Sequence, residues 1–85
     1  MTARVEDLMP GERITLPGPF EGMSSTFVAR TQHPLWPSLQ LVIWKMDDGT
    51  WSLDALDARQ EIGDTAPSTE VERMNNLRTA LLGRP

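Results

Sequence analysis

The amino-acid sequence predicts a mainly β protein: a small barrel or a bent antiparallel sheet of four or five strands, followed by one C-terminal α-helix. Two observations carry this prediction. Residues 39–56, LQLVIWKMDDGTWSLDAL, hold two segments rich in branched and aromatic residues joined by Asp-Asp-Gly, a pattern typical of a β-hairpin. Beyond residue 68, apolar residues recur at three- and four-residue steps, as on one face of a helix. The 85 residues allow one domain spanning 1–85, with the β part at 5–63.

The first predicted element is a tight turn at 9–12. It contains a Pro-Gly pair, in which proline restricts φ and glycine accepts a positive φ. A short first strand should follow at 13–16, with Ile14 and Leu16 facing inward. We expect this strand to end at 17–19, Pro-Gly-Pro, because proline has no N–H to donate to a neighbouring strand.

The second strand is expected at 25–31, after a loop at 20–24. Side chains alternate between the two faces of a regular strand. We therefore expect Phe27 and Ala29 to share one face and Val28 to lie on the other.

The connection between the third strand, Leu39–Met46, and the fourth, 50–56, fits two registers. A two-residue turn pairs Met46 with Trp51 and gathers Val42, Trp44, Met46, Trp51 and Leu53 on one face. A three-residue loop pairs Met46 with Thr50 and gathers Leu41, Ile43, Trp51 and Leu53 on the face opposite Trp44. Asp-Asp-Gly suits both loops, and a one-residue slip exchanges the faces of every side chain.

The C-terminal part predicts a short fifth strand within 57–63, a linker at 64–67 and a helix at 68–83. Ser68 or Thr69 caps the helix, and Thr69 with Glu72 has the spacing of a capping box. The apolar stripe of the helix comprises Val71, Met74, Leu77 and Leu81. This stripe is expected either to pack across the sheet or to mediate a homodimer, since small chains often gain stability by oligomerising.

Composition excludes several classes of protein. With no cysteine, the chain has no disulfide framework, no zinc–thiolate site and no thiol catalysis. The net charge is −4, and a single lysine accompanies scattered arginines, so nucleic-acid binding is not favoured. The N-terminal residues do not resemble a signal peptide, and the apolar run 41–44 is far shorter than the roughly 20 residues that span a bilayer. We expect a soluble cytoplasmic protein with no membrane contact.

No catalytic motif stands out. Serine has no neighbouring base, no glycine-rich loop precedes the helix, and the adjacent Asp47 and Asp48 are explained by a turn. The oxygen ligands that a calcium loop requires over about twelve residues are missing. The sequence therefore predicts a non-enzymatic protein with no cofactor and no metal.

The opening Val5-x-x-Leu8-x-Pro10-Gly11-x-x-Ile14, together with Asp47-Asp48-Gly49-Thr50 and Leu53-Asp54, resembles small SH3-like or Tudor-like barrels. It is also similar to short proteins of actinobacteria and their phages. The resemblance covers 5–62 and leaves out the helix. It implies binding of peptides, nucleic acid or partner proteins, and it carries over no functional residue.

The strongest binding candidate is Trp36, in a loop stiffened by two prolines. A large amphipathic side chain on a rigid loop is typical of an interface hot spot. The alternative interpretation is that Trp36 folds back and plugs one end of the core. Leu35 is a second anchor of the same loop. His33 is expected to be an exposed loop histidine without a catalytic or metal-binding role, and it completes the predicted partner-binding residues.

Trp44 and Trp51 are expected mainly in the core, with the alternative that one of them lines a ligand groove.

Three functions follow. The first is an interaction module, such as a phage or actinobacterial accessory protein that binds a host protein. The second is a nucleic-acid-associated regulator that uses Arg13, Arg30 and Lys45. The third is a structural component assembled through the helix stripe.

Overall fold

The computed structural model describes residues 2–15 and 24–83 of the chain. Six strands and one helix follow in order, with a 3₁₀ turn at Val5–Asp7. The elements are β1 (Thr2–Arg4), β2 (Arg13–Thr15), β3 (Ser24–Gln32), β4 (Leu39–Met46), β5 (Trp51–Asp57), β6 (Glu61–Thr65) and α1 (Glu70–Leu82).

The strands form one antiparallel sheet in the order β1-β6-β2-β3-β4-β5. The mainly β fold with a C-terminal helix is confirmed, as a bent sheet and not as a closed barrel. The sheet has six strands, whereas the sequence predicted four or five. The prediction missed β1, because its three residues are too few to show a pattern in the sequence. In the part of the chain that the structure describes, β1 and β5 are the edges of the sheet.

The hydrophobic core lies on one side of the sheet, here called the inner face. Its buried members come from the N-terminal segment and four strands: Val5, Leu8, Ile14, Phe27, Val42, Trp44, Met46 and Ile62. Leu56 of β5 packs against this cluster. Because adjacent positions alternate in direction, the odd-numbered residues of β4 and β5 lie on the opposite side, the outer face.

A three-residue loop joins β4 to β5. The Met46 amide donates to the Thr50 carbonyl at 2.8 Å, and Lys45 pairs with Trp51. Gly49 has φ +94°, a left-handed conformation that glycine adopts without steric cost. Of the two registers open to the sequence, the structure has the one that sends Trp44 and Trp51 to opposite faces.

A β-bulge at Val28 corrects the predicted alternation of β3. The register shifts between Phe27, which pairs with Trp44, and Ala29, which pairs with Ile43. The extra residue places Phe27 on the inner face and Ala29 on the outer face, so the expectation that they share a face is wrong.

Helix α1 begins and ends as the sequence predicts. The Glu72 amide donates to Thr69 Oγ1 and the Thr69 amide donates to Glu72 Oε1, each at 3.1 Å, which completes the capping box. Gly83 ends the helix at φ +69°. The residues expected as a linker are in part strand, because β6 extends to Thr65.

The expected turn at 9–12 is present, with the Glu12 amide donating to the Met9 carbonyl at 3.0 Å. The predictions for Leu16, for the break at 17–19 and for the loop at 20–23 lie outside the described residues. Within the described residues, no helix has both the length and the apolar character needed to cross a membrane.

Candidate binding surface

Residues 33–38, which connect β3 to β4, form a loop that we call the Trp36 loop. Two large apolar side chains project from it, with Leu35 73% and Trp36 57% exposed. The interpretation of Trp36 as a plug of the core is therefore wrong. Exposing so much apolar surface at one end of the sheet costs hydration free energy, so this loop is a candidate contact region.

His33 organises the Trp36 loop. Its Nδ1 accepts hydrogen bonds from the backbone amides of Leu35 at 3.0 Å and Trp36 at 3.2 Å. Its ring lies 4.7 Å from the Trp36 ring, centroid to centroid, at an angle of 44°. The expectation of a freely exposed histidine is corrected: His33 is half-buried and fixes the backbone on which Trp36 stands.

Backbone hydrogen bonds close the base of the same loop. The Leu39 amide donates to the Trp36 carbonyl at 2.9 Å, and the His33 amide donates to the Leu39 carbonyl at 3.0 Å. Pro34 and Pro37 restrict φ within the loop. Leu35 and Trp36 are thus held in one arrangement while their side chains remain in water.

The two hairpin tryptophans do not form a common groove. Trp44 is 2% exposed on the inner face, where its Nε1 donates to Asp54 Oδ2 at 2.8 Å. Trp51 is 48% exposed on the outer face, with Lys45 Nζ 4.5 Å from its ring centroid. The core expectation is confirmed for Trp44 and wrong for Trp51, because the three-residue loop sets the register.

Trp51 belongs to an apolar patch that we call the outer patch. Its members come from three adjacent strands: Ala29, Leu41, Ile43, Trp51, Leu53 and Ala55. Ile43 lies between Ala29 and Leu53, and Leu41 pairs with Ala55. Leu53 is 63% exposed. The sequence contained this grouping as the second hairpin register, but nothing in the sequence showed that the helix leaves it uncovered.

Helix α1 contacts β3, and it also reaches the turn that precedes β2. Ala80 is buried, and Asn76 Nδ2 donates to the Gly11 carbonyl at 2.9 Å. Three of the four stripe residues remain largely in solvent: Val71, Met74 and Leu81, at 65%, 56% and 53% exposure. Leu77 is half-buried. The alternative that this stripe packs across the sheet is therefore wrong, and a role in a homodimer stays a prediction.

The three basic residues considered for nucleic-acid binding have partners within the chain. Arg13 forms a two-pronged ion pair with Asp47, both N–O distances being 2.6 Å, and donates to Thr26 Oγ1. Arg30 donates to the Leu8 carbonyl and lies over the Phe27 ring. Lys45 lies over Trp51. Of the three, Arg13 alone has its charge paired with a carboxylate, so a role in nucleic-acid binding stays a prediction that the sequence did not favour.

The Arg13–Asp47 pair also shifts the pKa values of both partners. Hydrogen bonds from Arg13 lower the pKa of Asp47, and the same bonds raise the pKa of Arg13. A hydrogen bond from the Thr50 amide lowers the pKa of Asp48. The turn explanation is therefore confirmed for Asp48, which accepts from the Thr50 amide, and is wrong for Asp47, whose carboxylate binds Arg13. Among residues 2–15 and 24–83, no three potential metal ligands come together.

Comparison of the chain with protein-family models, with curated proteins and with solved structures finds no match. The resemblance to SH3-like barrels and to actinobacterial and phage proteins therefore stays a prediction, and the candidate surfaces depend on their own geometry.

Proposed function

We propose that this chain is a non-enzymatic protein-interaction module that binds another protein through Trp36 and Leu35. The observation that carries this proposal is the restrained exposure of the Trp36 loop: its two largest side chains are in water, while its backbone is tied down by His33 and Leu39.

Pre-organisation gives the proposal its energetic basis. Ordering a loop and its side chains on binding costs free energy, and a loop that is already ordered avoids most of that cost. Tryptophan is among the residues that dominate interface energies, mostly by filling an apolar pocket on the partner. The Trp36 loop contains no charged residue, so its partner surface should be a pocket lined by apolar side chains.

The partner class follows from the resemblance noted above. We propose that this chain is a small accessory protein of an actinobacterium or its phage and that its partner is a protein of the host. An actinobacterial lysate is therefore the source in which to search for the partner. The wild type, Trp36→Ala and Trp51→Ala are immobilised after circular dichroism shows that all three fold. The lysate proteins that each of them retains are then compared. Trp51→Ala is the matched control, since it removes an equally large exposed ring from another surface.

We expect one or more proteins retained by the wild type and by Trp51→Ala but lost by Trp36→Ala. Calorimetry with the purified partner should then show at least about 30-fold weaker binding for Trp36→Ala, corresponding to a hot spot of about 2 kcal/mol. His33→Asn keeps an acceptor for the loop amides and should bind better than His33→Ala. Equal retention by all three baits would contradict the proposal.

A further inference from the structure

Strand β5 has a free hydrogen-bonding edge. The bond from the Met46 amide to the Thr50 carbonyl identifies that pair as hydrogen-bonded, and such pairs alternate along an antiparallel ladder. The even-numbered residues of β5 therefore point their backbone groups toward β4. In the described chain no strand lies beyond β5, so the N–H and C=O groups of Trp51, Leu53 and Ala55 point outward.

The same three residues contribute the exposed part of the outer patch. Trp51 and Leu53 are 48% and 63% exposed, and Ala55 is exposed as well. An edge strand whose outward backbone groups and apolar side chains belong to the same residues is a template for another strand. An added strand would satisfy the backbone and cover the patch in one step.

We propose that a second copy of this chain occupies this edge, with the two β5 strands antiparallel about a two-fold axis at Leu53. In this register Trp51 lies opposite the second copy's Ala55, and Leu53 lies opposite its counterpart. Large side chains thus meet small ones on the outer face, and about six backbone hydrogen bonds join the strands, two from each of three pairs. The interface is isologous, because the same surface serves both copies.

Charge disfavours one neighbouring register. Centring the axis on Asp54 would place two carboxylates directly opposite each other, which is unfavourable. With the axis at Leu53, Ser52 lies opposite Asp54 instead. Each Asp54 already accepts a hydrogen bond from Trp44 Nε1 at 2.8 Å, which holds its carboxylate on its own hairpin. The order of residues in β5 therefore suits self-pairing at one register.

The test is a charge-complementation experiment at Leu53, followed by analytical ultracentrifugation. The wild type is measured from about 10 µM to about 1 mM, and its mass should rise from 9.5 kDa toward twice that value. Leu53→Lys and Leu53→Glu, each alone, place like charges at the axis and should weaken association by about tenfold or more. Leu53 is exposed, so both variants should fold, which circular dichroism verifies.

Mixing the two variants is the decisive step. A Lys opposite a Glu should restore association, because residue 53 faces residue 53 only in the proposed register. Met74→Lys, which charges the helix stripe, is the control and should associate like the wild type. A wild type that stays monomeric, a mixture that stays monomeric, or a loss of association in Met74→Lys would each overturn the proposal.

This inference and the proposed function fail separately. Trp36→Ala should associate like the wild type, and Leu53→Lys should retain the lysate partner. Loss of the partner in Leu53→Lys would show that the β5 edge binds a different protein, which would also overturn self-pairing as its role.

Discussion

Trp44 and Trp51 belong to one hairpin, yet one is 2% exposed and the other 48%. The difference comes from the length of the turn between them, since the three-residue loop puts even-numbered residues inside and odd-numbered residues outside. The inner face is a closed cluster of side chains. The outer patch has no such cover, and its three β5 residues, Trp51, Leu53 and Ala55, are exposed. Hydrophobic residues thus hold this fold together on one face and remain partly exposed on the other.

The outer face itself divides into a covered and an uncovered half. Over β3, which helix α1 contacts, Thr26 is 3% exposed, and it shares its face with Lys45. Over β4 and β5 nothing in the described chain covers the outer patch. Because the helix docks through Asn76 and Ala80, it adds little apolar burial of its own.

The largest expected effect is the difference in stability cost between replacing Trp44 and replacing Trp51. Trp44→Ala removes a buried ring and leaves a cavity, so it should lower the free energy of unfolding by about 3–5 kcal/mol. Trp51→Ala removes a half-exposed ring and its contact with Lys45, so it should cost about 0.5–1 kcal/mol. Urea denaturation in dilute solution measures both. Equal costs would place both rings in the core and contradict the register.

The second prediction concerns the contact between helix α1 and the turn at 9–12. Gly11 and Gly49 both have φ +94°, but a Cβ on Gly11 would lie 2.1 Å from the Arg73 carbonyl oxygen of the helix, whereas Gly49 has open space. Gly49→Ala should cost about 1–2 kcal/mol through its backbone conformation alone. Gly11→Ala should cost about 1–3 kcal/mol more, because the helix must shift. Denaturation of the matched pair isolates the helix contact, and equal costs would show that the helix does not dock here.

The smallest effect belongs to the Arg13–Asp47 pair beside the turn. As the pKa of Asp47 is lowered in the folded protein, the pair stabilises the fold above the unfolded pKa of 3.8, and this contribution is lost as the pH falls through the folded value. Both side chains are about half exposed, so Asp47→Asn should cost at most about 1 kcal/mol at neutral pH.

Denaturation from about pH 7 down to about pH 2 checks this prediction. The Asp47→Asn variant should lose less stability below about pH 4 than the wild type does. Arg13→Ala should cost more than Asp47→Asn, because it also removes the hydrogen bond to Thr26 Oγ1, and the double variant should cost little more than Arg13→Ala alone. Additive costs would show that the two residues do not act as a pair.

Local signals in the sequence were sufficient for several elements. The bounds of β4, the capping box of Thr69 and Glu72, and the left-handed Gly83 all follow from neighbouring residues. These features depend on alternation, capping and glycine conformation, which act over a few residues.

The features that escaped prediction depend on distant contacts. Asp-Asp-Gly fits two loops, and only pairing with the rest of the sheet selects one. The bulge at Val28 exchanges the face of Ala29 without a signal in the sequence. The apolar stripe of α1 indicated burial, but a hydrogen bond from Asn76 to Gly11 and a close approach at Ala80 orient the helix differently. For Trp36, the sequence left both a core and a surface position open.

Amide hydrogen exchange along β5, measured by NMR at a concentration where the protein is monomeric, shows directly which residues of β5 are hydrogen-bonded to β4. We expect alternation: slow exchange at Ser52, Asp54 and Leu56, whose amides face β4, and fast exchange at Trp51, Leu53 and Ala55. The opposite alternation, with Trp51 and Leu53 protected, would place the outer patch inside the fold and contradict the division between a buried inner face and an exposed outer face.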